Sequence, residues 1–285
     1  MGECKGEQVL VRTGVTSHPY MLERFRKLAS QLRGTDKELM FSIDYSKEKE
    51  GSESAEYRRQ VQLLDGIAPG NVYGFEGARL IEQYPQLDNM IKFNKGLAWS
   101  YHFESFSFVK TEYERRHNTT WNKCGIWTIE DDMGFTCDWN MILDSSFDGE
   151  QPRADLISSG LKHLTEHAAT HNRFYSIASA LFNTGFNARW HHDSFLMFLS
   201  KRLFLEVERH AQEGMHAFAE CQVPTVCFEA LAGGCKYREL NPDFIDRDGY
   251  FVIPTLMKHS PAQFRQHFEE LSSQKECRLV HPLKF

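Results

Sequence analysis

The stretch Cys124-Gly-Ile-Trp-Thr-Ile-Glu-Asp-Asp-Met-Gly-Phe-Thr-Cys-Asp-Trp139 decides the reading of this chain. Residues Gly125 to Ile129 are short, apolar and β-branched, which predicts a buried strand. Glu130, Asp131 and Asp132 follow without a break. Adjacent carboxylates at the end of a buried strand repel one another. A divalent cation is the usual compensation, and hard oxygen donors suit Mg²⁺ or Mn²⁺. In open α/β sheets, ligands sit beyond the carboxyl ends of the strands, which is where this triplet falls. A plainer reading makes the acids a solvated turn before a helix with Asp138 as its N-cap.

Working outward, Gln8 to Thr13 reads as a first strand closed by Gly14. Apolar residues at 21, 22, 25, 28, 29 and 32 predict an amphipathic helix over 20–32. Glu38 to Asp44 reads as a second strand, so the chain opens β-α-β with a right-handed crossover. A short helix over 56–64, a strand over 71–75, a helix ending at Gln83 before Pro85 and a long aromatic helix over 94–117 lead back to the acidic strand. Beyond Gly149 the pattern loosens. A strand over 154–158, an apolar segment over 194–200 running into a helix to about Gln212, and a helix over 218–231 are expected. A strand over 251–253, a helix over 261–273 and a strand over 278–280 complete the chain. This alternation predicts an α/β fold with a mixed central sheet flanked by helices.

Composition limits the function classes. The 285 residues carry a net charge of −6, which argues against a dedicated nucleic-acid or anionic-membrane binder. No apolar run approaches the roughly 20 residues of a membrane span. The polar start does not resemble a secretory signal. The seven cysteines contain no CxxC pair. This argues against a zinc site or a full disulfide framework and favours a reducing, cytoplasmic compartment. The secretory lumen is the alternative if an N-terminal anchor has been removed, and the sequon Asn118-Thr119-Thr120 would matter only there.

The β-α-β opening, a helix containing Asn94-Lys95-Gly96, and an apolar strand ending in Glu130-Asp131-Asp132 together resemble the GT-A nucleotide-sugar glycosyltransferases. The acidic triplet is similar to their DxD-like motif. The resemblance implies a single GT-A-like (Rossmann-like) domain, with residues 1–150 as the nucleotide-sugar half and 151–285 as the acceptor half. It implies that Asp132 binds the metal and that Glu130 and Asp131 hold ribose, sugar hydroxyls or metal-bound water. Arg12, Thr13, Asp44 and Lys95 would line the donor site. His281 would bind the metal and Lys284 the diphosphate, where the alternative is a frayed polar tail. Glu220, near the start of a late helix, would be the general base, the alternative being a surface helical glutamate. Trp190, His192 and Asp193 form a candidate acceptor wall, since Trp190 could stack on a sugar face. Core or turn histidine is the plainer reading of His191 and His192, which alternate across a strand.

The implied activity is metal-dependent, inverting transfer of a sugar from a UDP-sugar to a glycan or glycoprotein hydroxyl. The short chain resembles the soluble glycosyltransferases of large algal viruses and green algae, including xylosyltransferases, which puts UDP-xylose forward as donor. A metal-dependent phosphoesterase or nuclease would need a second metal about 3.5–4 Å away, and no second acidic cluster is evident. A non-catalytic carbohydrate-binding protein would use the triplet for a structural Ca²⁺.

Overall fold

Strand β1 (Glu7–Gly14), helix α1 (Pro19–Leu32) and strand β2 (Lys37–Asp44) form the expected β-α-β opening. The computed structural model describes residues 4–16, 18–48, 50–88, 101–148, 151–152, 154–163, 190–246 and 261–283. Along these run α2 (Ala55–Asp65), β3 (Val72–Phe75), α3 (Gly77–Gln83), α4 (His102–His117), β4 (Gly125–Glu130), β5 (Gly134–Phe135) and the short α5 (Asn140–Leu143). There follow β6 (Phe147–Asp148), β7 (Gln151–Pro152), β8 (Leu156–His163), β9 (Trp190–Ser200), α6 (Lys201–Gln212) and α7 (Ala219–Glu229). Then come β10 (Tyr237–Glu239), α8 (Pro261–Ser273) and β11 (Leu279–Val280).

Seven strands make one mixed sheet in the order β10-β8-β9-β4-β1-β2-β3. β4, β1, β2 and β3 run parallel, while β9 pairs antiparallel with both β4 and β8. Both faces are covered. Alternation sends Leu10 and Ile126 into one apolar cluster with Phe103, Phe106 and Phe204. The intervening Val9, Val11 and Trp127 enter the other cluster, with Phe25 and Leu28 of α1. Trp127 and Phe198 are both fully buried, with ring centroids 5.4 Å apart across β4 and β9. Burying such a side chain stabilises the fold by about 1.5–3 kcal/mol. Gly125 permits that approach, because a Cβ there would lie 2.4 Å from the Phe198 ring.

The β-α-β opening lies within a residue of the expected bounds. The strand expected over 154–158 begins at Leu156 and runs on to His163. Asp138 does not cap a helix directly; its Oδ1 accepts from the Asn140 N–H at 2.9 Å, and the helix spans only Asn140–Leu143. The strand expected over 251–253, and residues 94–100 of the long helix, fall outside the described residues.

The cysteine reading is corrected. Three disulfides join Cys4 to Cys124, Cys137 to Cys277 and Cys227 to Cys235, leaving Cys221 free and buried. Two of these bridges span 120 and 140 residues. Pairing of that kind is set by the tertiary fold and leaves no local spacing to read.

Candidate active site at the carboxyl end of the sheet

Three parallel strands end at one cleft. β1 brings Arg12, Thr13 and Gly14, β2 brings Asp44, and β4 brings Glu130 followed by Asp131 and Asp132. With Val15, Thr16, Lys47 and Glu48 these residues line a cavity of about 530 Å³. The register sets Gly14 beside Asp44 and Arg12 beside Glu130. Asp44 is already oriented: Tyr101 Oη donates to its Oδ2 at 2.9 Å, and the Ser46 N–H donates to its Oδ1 at 2.9 Å.

Beyond β4 the chain turns tightly, with the Met133 N–H donating to the Glu130 carbonyl at 3.0 Å. Asp131 is engaged by β1: Thr13 Oγ1 donates to its Oδ2 at 2.7 Å, and its own N–H donates to the Arg12 carbonyl at 3.0 Å. Glu130 and Asp132 point together elsewhere. From α1, Arg24 donates to the carbonyls of Asp131 and Met133. Burial lowers the Arg24 pKa, while Tyr20, Asp132 and Asp131 raise it in opposition.

His281 reaches this turn through a two-stranded ladder in which Leu279 pairs with Phe135 and Val280 with Gly134. The Leu283 N–H donates to the Asp132 carbonyl at 2.7 Å. A Cβ at Gly134 would lie 2.4 Å from Leu283 and 2.7 Å from Phe268, so glycine is required for this close approach. The His281 ring stacks on Phe195 with centroids 3.8 Å apart. Its Nε2 lies 3.2 Å from Asp132 Oδ1 and 3.5 Å from Glu130 Oε2. Burial acts to lower the His281 pKa, but hydrogen bonds to Asp132 and Glu130 outweigh it and hold the value up at about 9.

Glu130, Asp132 and His281 each offer one ligand atom, all within 4.8 Å of one another, and among the described residues this is the group of such side chains able to hold a metal ion. Two carboxylates and a neutral imidazole would fit a divalent cation, which His281 would join by giving up its proton; protonated, its imidazolium supplies the positive charge that the paired carboxylates require.

Glu220 stands in the first turn of α7. Ser194 Oγ donates to its Oε1 at 3.0 Å, and its Oε2 is buried with no hydrogen-bond partner among the described residues. Burial pushes its pKa up to about 7; Glu130 adds to this, and Ser194 and Arg12 oppose it. Pro224, one turn later, has no N–H to donate to the Glu220 carbonyl, which loosens the helix at this residue.

Of the expected acceptor wall, Asp193 accepts from Ser159 Oγ at 3.0 Å, and burial pushes its pKa up to about 6. Trp190 stacks on Phe228 at 4.3 Å, and its Nε1 donates to Glu229 Oε1 at 3.1 Å. His192 is a correction. It is fully buried, its Nε2 donates to the Ala219 carbonyl at 3.3 Å, and burial lowers its pKa to about 3. It packs β9 against the start of α7 and has no surface to offer an acceptor. Lys95 and Lys284 lie outside the described residues.

Four residues near the site were not singled out from the sequence. His102 at the start of α4 is buried, with Nε2 3.8 Å from Glu130 Oε1, and burial keeps it neutral. Arg24 and Phe195 sit among helix and strand residues with no motif around them. Ser194 shares its strand face with His192 by alternation, which was the one available clue.

The chain matches no protein-family model and no curated protein. Among solved structures it is similar to mouse xyloside xylosyltransferase 1 in its apo form, at 12% identity over 92% of this chain and 93% of that one, with a TM-score of 0.44. It is also similar to galactosyltransferase LgtC in complex with donor and acceptor sugar analogs, at 11% identity over 94% and 95%, with a TM-score of 0.42.

Proposed function

We propose that this protein is a metal-dependent glycosyltransferase that transfers a sugar from a nucleoside diphosphate donor to a glycan hydroxyl with inversion. The observation that carries this reading is the convergence of Glu130, Asp132 and His281 beside the cleft walled by Arg12, Thr13 and Asp44. A cavity of about 530 Å³ is within the usual range for a small-molecule site, roughly 300–1,000 Å³.

Each residue then has a role. Asp44, fixed by Tyr101 and Ser46, accepts hydrogen bonds from donor hydroxyls. Thr13 and Asp131 hold the acidic turn against β1. Glu130, Asp132 and His281 hold the cation, and Mn²⁺ suits the imidazole in the set better than Mg²⁺. When bound, the cation stabilises the negative charge on the departing diphosphate. Glu220 takes the proton from the acceptor hydroxyl as it attacks the anomeric carbon opposite the leaving group. A pKa near 7 is well placed for a general base at neutral pH. Asp193 and Trp190 flank the acceptor side of β9.

A two-metal phosphoesterase would require a second cluster, and among the described residues Glu130, Asp132 and His281 are the group found. No described helix is long and apolar enough to cross a membrane. The three disulfides favour an oxidising compartment over the cytoplasm. The exposed sequon at Asn118, in the left-handed cap of α4, is then available to carry a glycan.

The test is a thermal-shift panel of nucleotide sugars with Mn²⁺, in which UDP-xylose goes first because the sequence resemblance names it. Ligand bound to the native state raises the midpoint by mass action. A shift reversed by a chelator is expected. No shift with any UDP-, GDP- or ADP-sugar would sink the reading.

A further inference from the structure

The Cys137–Cys277 disulfide and His281 belong to one structural unit. The ladder pairs Leu279 with Phe135 and Val280 with Gly134. One rung back, the Thr136 N–H donates to the Arg278 carbonyl at 3.1 Å, and the Arg278 N–H returns to Thr136 Oγ1 at 2.8 Å. The same register continued one rung further sets Cys137 opposite Cys277, where the disulfide lies. Continued the other way, it sets His281 opposite Met133, next to Asp132. The covalent link closes one end of the ladder, and the imidazole occupies the other.

Only two residues on each strand make regular pairs, and 140 residues separate the two cysteines. Closing so long a loop costs chain entropy, and two strands alone are marginal in water. Other attachments are a small apolar cluster of Phe268, Leu271, Val280 and Leu283, the Leu283 hydrogen bond to Asp132, a bridge from Leu279 to Ile245 with the Asp246 N–H donating to the Leu279 carbonyl, and the Phe195 ring on His281, but none of these ties β11 to β5 at the Cys277 end. A one-residue slip along the ladder would turn His281 to the opposite side.

We propose that the Cys137–Cys277 disulfide is a positioning element of the cation site, fixing the register that presents His281 to Asp132 and Glu130. It rests on the reading of those three residues as cation ligands. Both cysteines are half-buried, so the bond is within reach of a reductant, and reducing it loosens the cation site. The Cys227–Cys235 disulfide joins α7 to the segment before β10, outside the ladder, and should have no such effect.

The experiment measures Mn²⁺ affinity by EPR, without nucleotide or acceptor, for folded protein of each form. The forms are wild type, Asp132→Ala, Cys137→Ser/Cys277→Ser, and Cys227→Ser/Cys235→Ser as control. Outer groups that orient metal ligands are typically worth 10–100-fold in metal affinity, so a loss of about that size is expected for the first cysteine pair and less than twofold for the control. Adding His281→Ala to Cys137→Ser/Cys277→Ser should then cost nothing further. Wild type that binds no Mn²⁺, or Asp132→Ala that binds it normally, overturns the cation-site reading itself. Normal binding by Cys137→Ser/Cys277→Ser, with Asp132→Ala defective, overturns the positioning role alone. If the serine pair fails to fold, native protein reduced, alkylated and freed of reductant takes its place. Loss of the native fold there too overturns the proposal, because the bond would then hold the whole domain and not one ladder.

Discussion

His281 Nε2 meets Asp132 Oδ1 at 3.2 Å, joining the end of the chain to the turn beyond its central strand. Asp132 contributes to this site twice, through its carboxylate and through the carbonyl that accepts from Leu283. Replacing Asp132 by alanine removes the first and keeps the second. Asp132→Ala should therefore fold and melt near wild type while losing Mn²⁺-dependent nucleotide binding and transfer. Calorimetric titration of UDP with and without Mn²⁺ measures this, and an unchanged metal-dependent affinity would count against the assignment.

Separating His281 from its neighbour Leu283 gives the next expectation. Leu283 is fully buried against Phe268 and Val280, so removing the whole C-terminal segment also opens the core. Leu283→Ala should cost about 2–5 kcal/mol of stability. His281→Ala opens no core cavity and costs only its pairing with Asp132 and Glu130, yet should weaken metal and donor binding far more than Leu283→Ala does. Denaturant midpoints set beside Mn²⁺ affinities distinguish the two, and the idea fails if both variants move the same quantity.

Glu220→Gln should lower kcat by about 10²–10⁴-fold with donor affinity nearly unchanged, since the amide keeps the shape and loses the proton acceptor. The pH dependence has a definite sign. A base must be ionised to act, and burial raises the Glu220 pKa to about 7, so kcat/KM should fall as pH drops below about 7. The variant should lack that limb. Retention of more than about a tenth of the rate would pass the role to another carboxylate, with Asp193 next.

Away from the cleft, Asp155 links β8 to α6. Its Oδ1 accepts from Ser200 Oγ at 2.9 Å and from Arg202 Nε at 2.6 Å, and its Oδ2 accepts from the Lys236 N–H at 2.8 Å. Burial would raise its pKa, but these bonds prevail and lower it. A carboxyl depressed on folding stabilises the protein above its unfolded pKa, and that stability is lost as pH falls through the folded value. Asp155→Asn should cost about 1–3 kcal/mol at neutral pH. The gap to wild type should narrow toward pH 3, as urea melts at several pH values will read.

Thiol titration provides a separate check. Unfolded without reductant, the chain should expose one reactive thiol, Cys221, and seven after reduction. Secreted from a eukaryotic host, it should also lose mass on glycosidase treatment, and Asn118→Gln should abolish that shift. Seven thiols before reduction would return the chain to a reducing compartment.

The strands that build the cleft were legible in sequence because each follows a period that burial enforces. The alternation of Val9, Leu10 and Val11, the helical spacing in α1 and the apolar run of β4 gave their elements directly. Arg12, Thr13, Asp44 and the acidic triplet followed, since strand ends locate them. His281 could be nominated only through resemblance to a family, because nothing near it in sequence points to Asp132. The disulfides were misread for the same reason; for His192 the strand face could be named but not what α7 lays against it, and its burial matches the plainer reading as a core histidine.

Arg24 remains, a half-buried guanidinium beneath the acidic turn with hydrogen bonds given to the carbonyls of Asp131 and Met133. A charge held there by α1 braces the turn from the side away from the cleft. An incoming ion would meet the Asp132 and Glu130 carboxylates already in place and would have to displace the proton that they hold on His281, so its capture should release a proton at neutral pH.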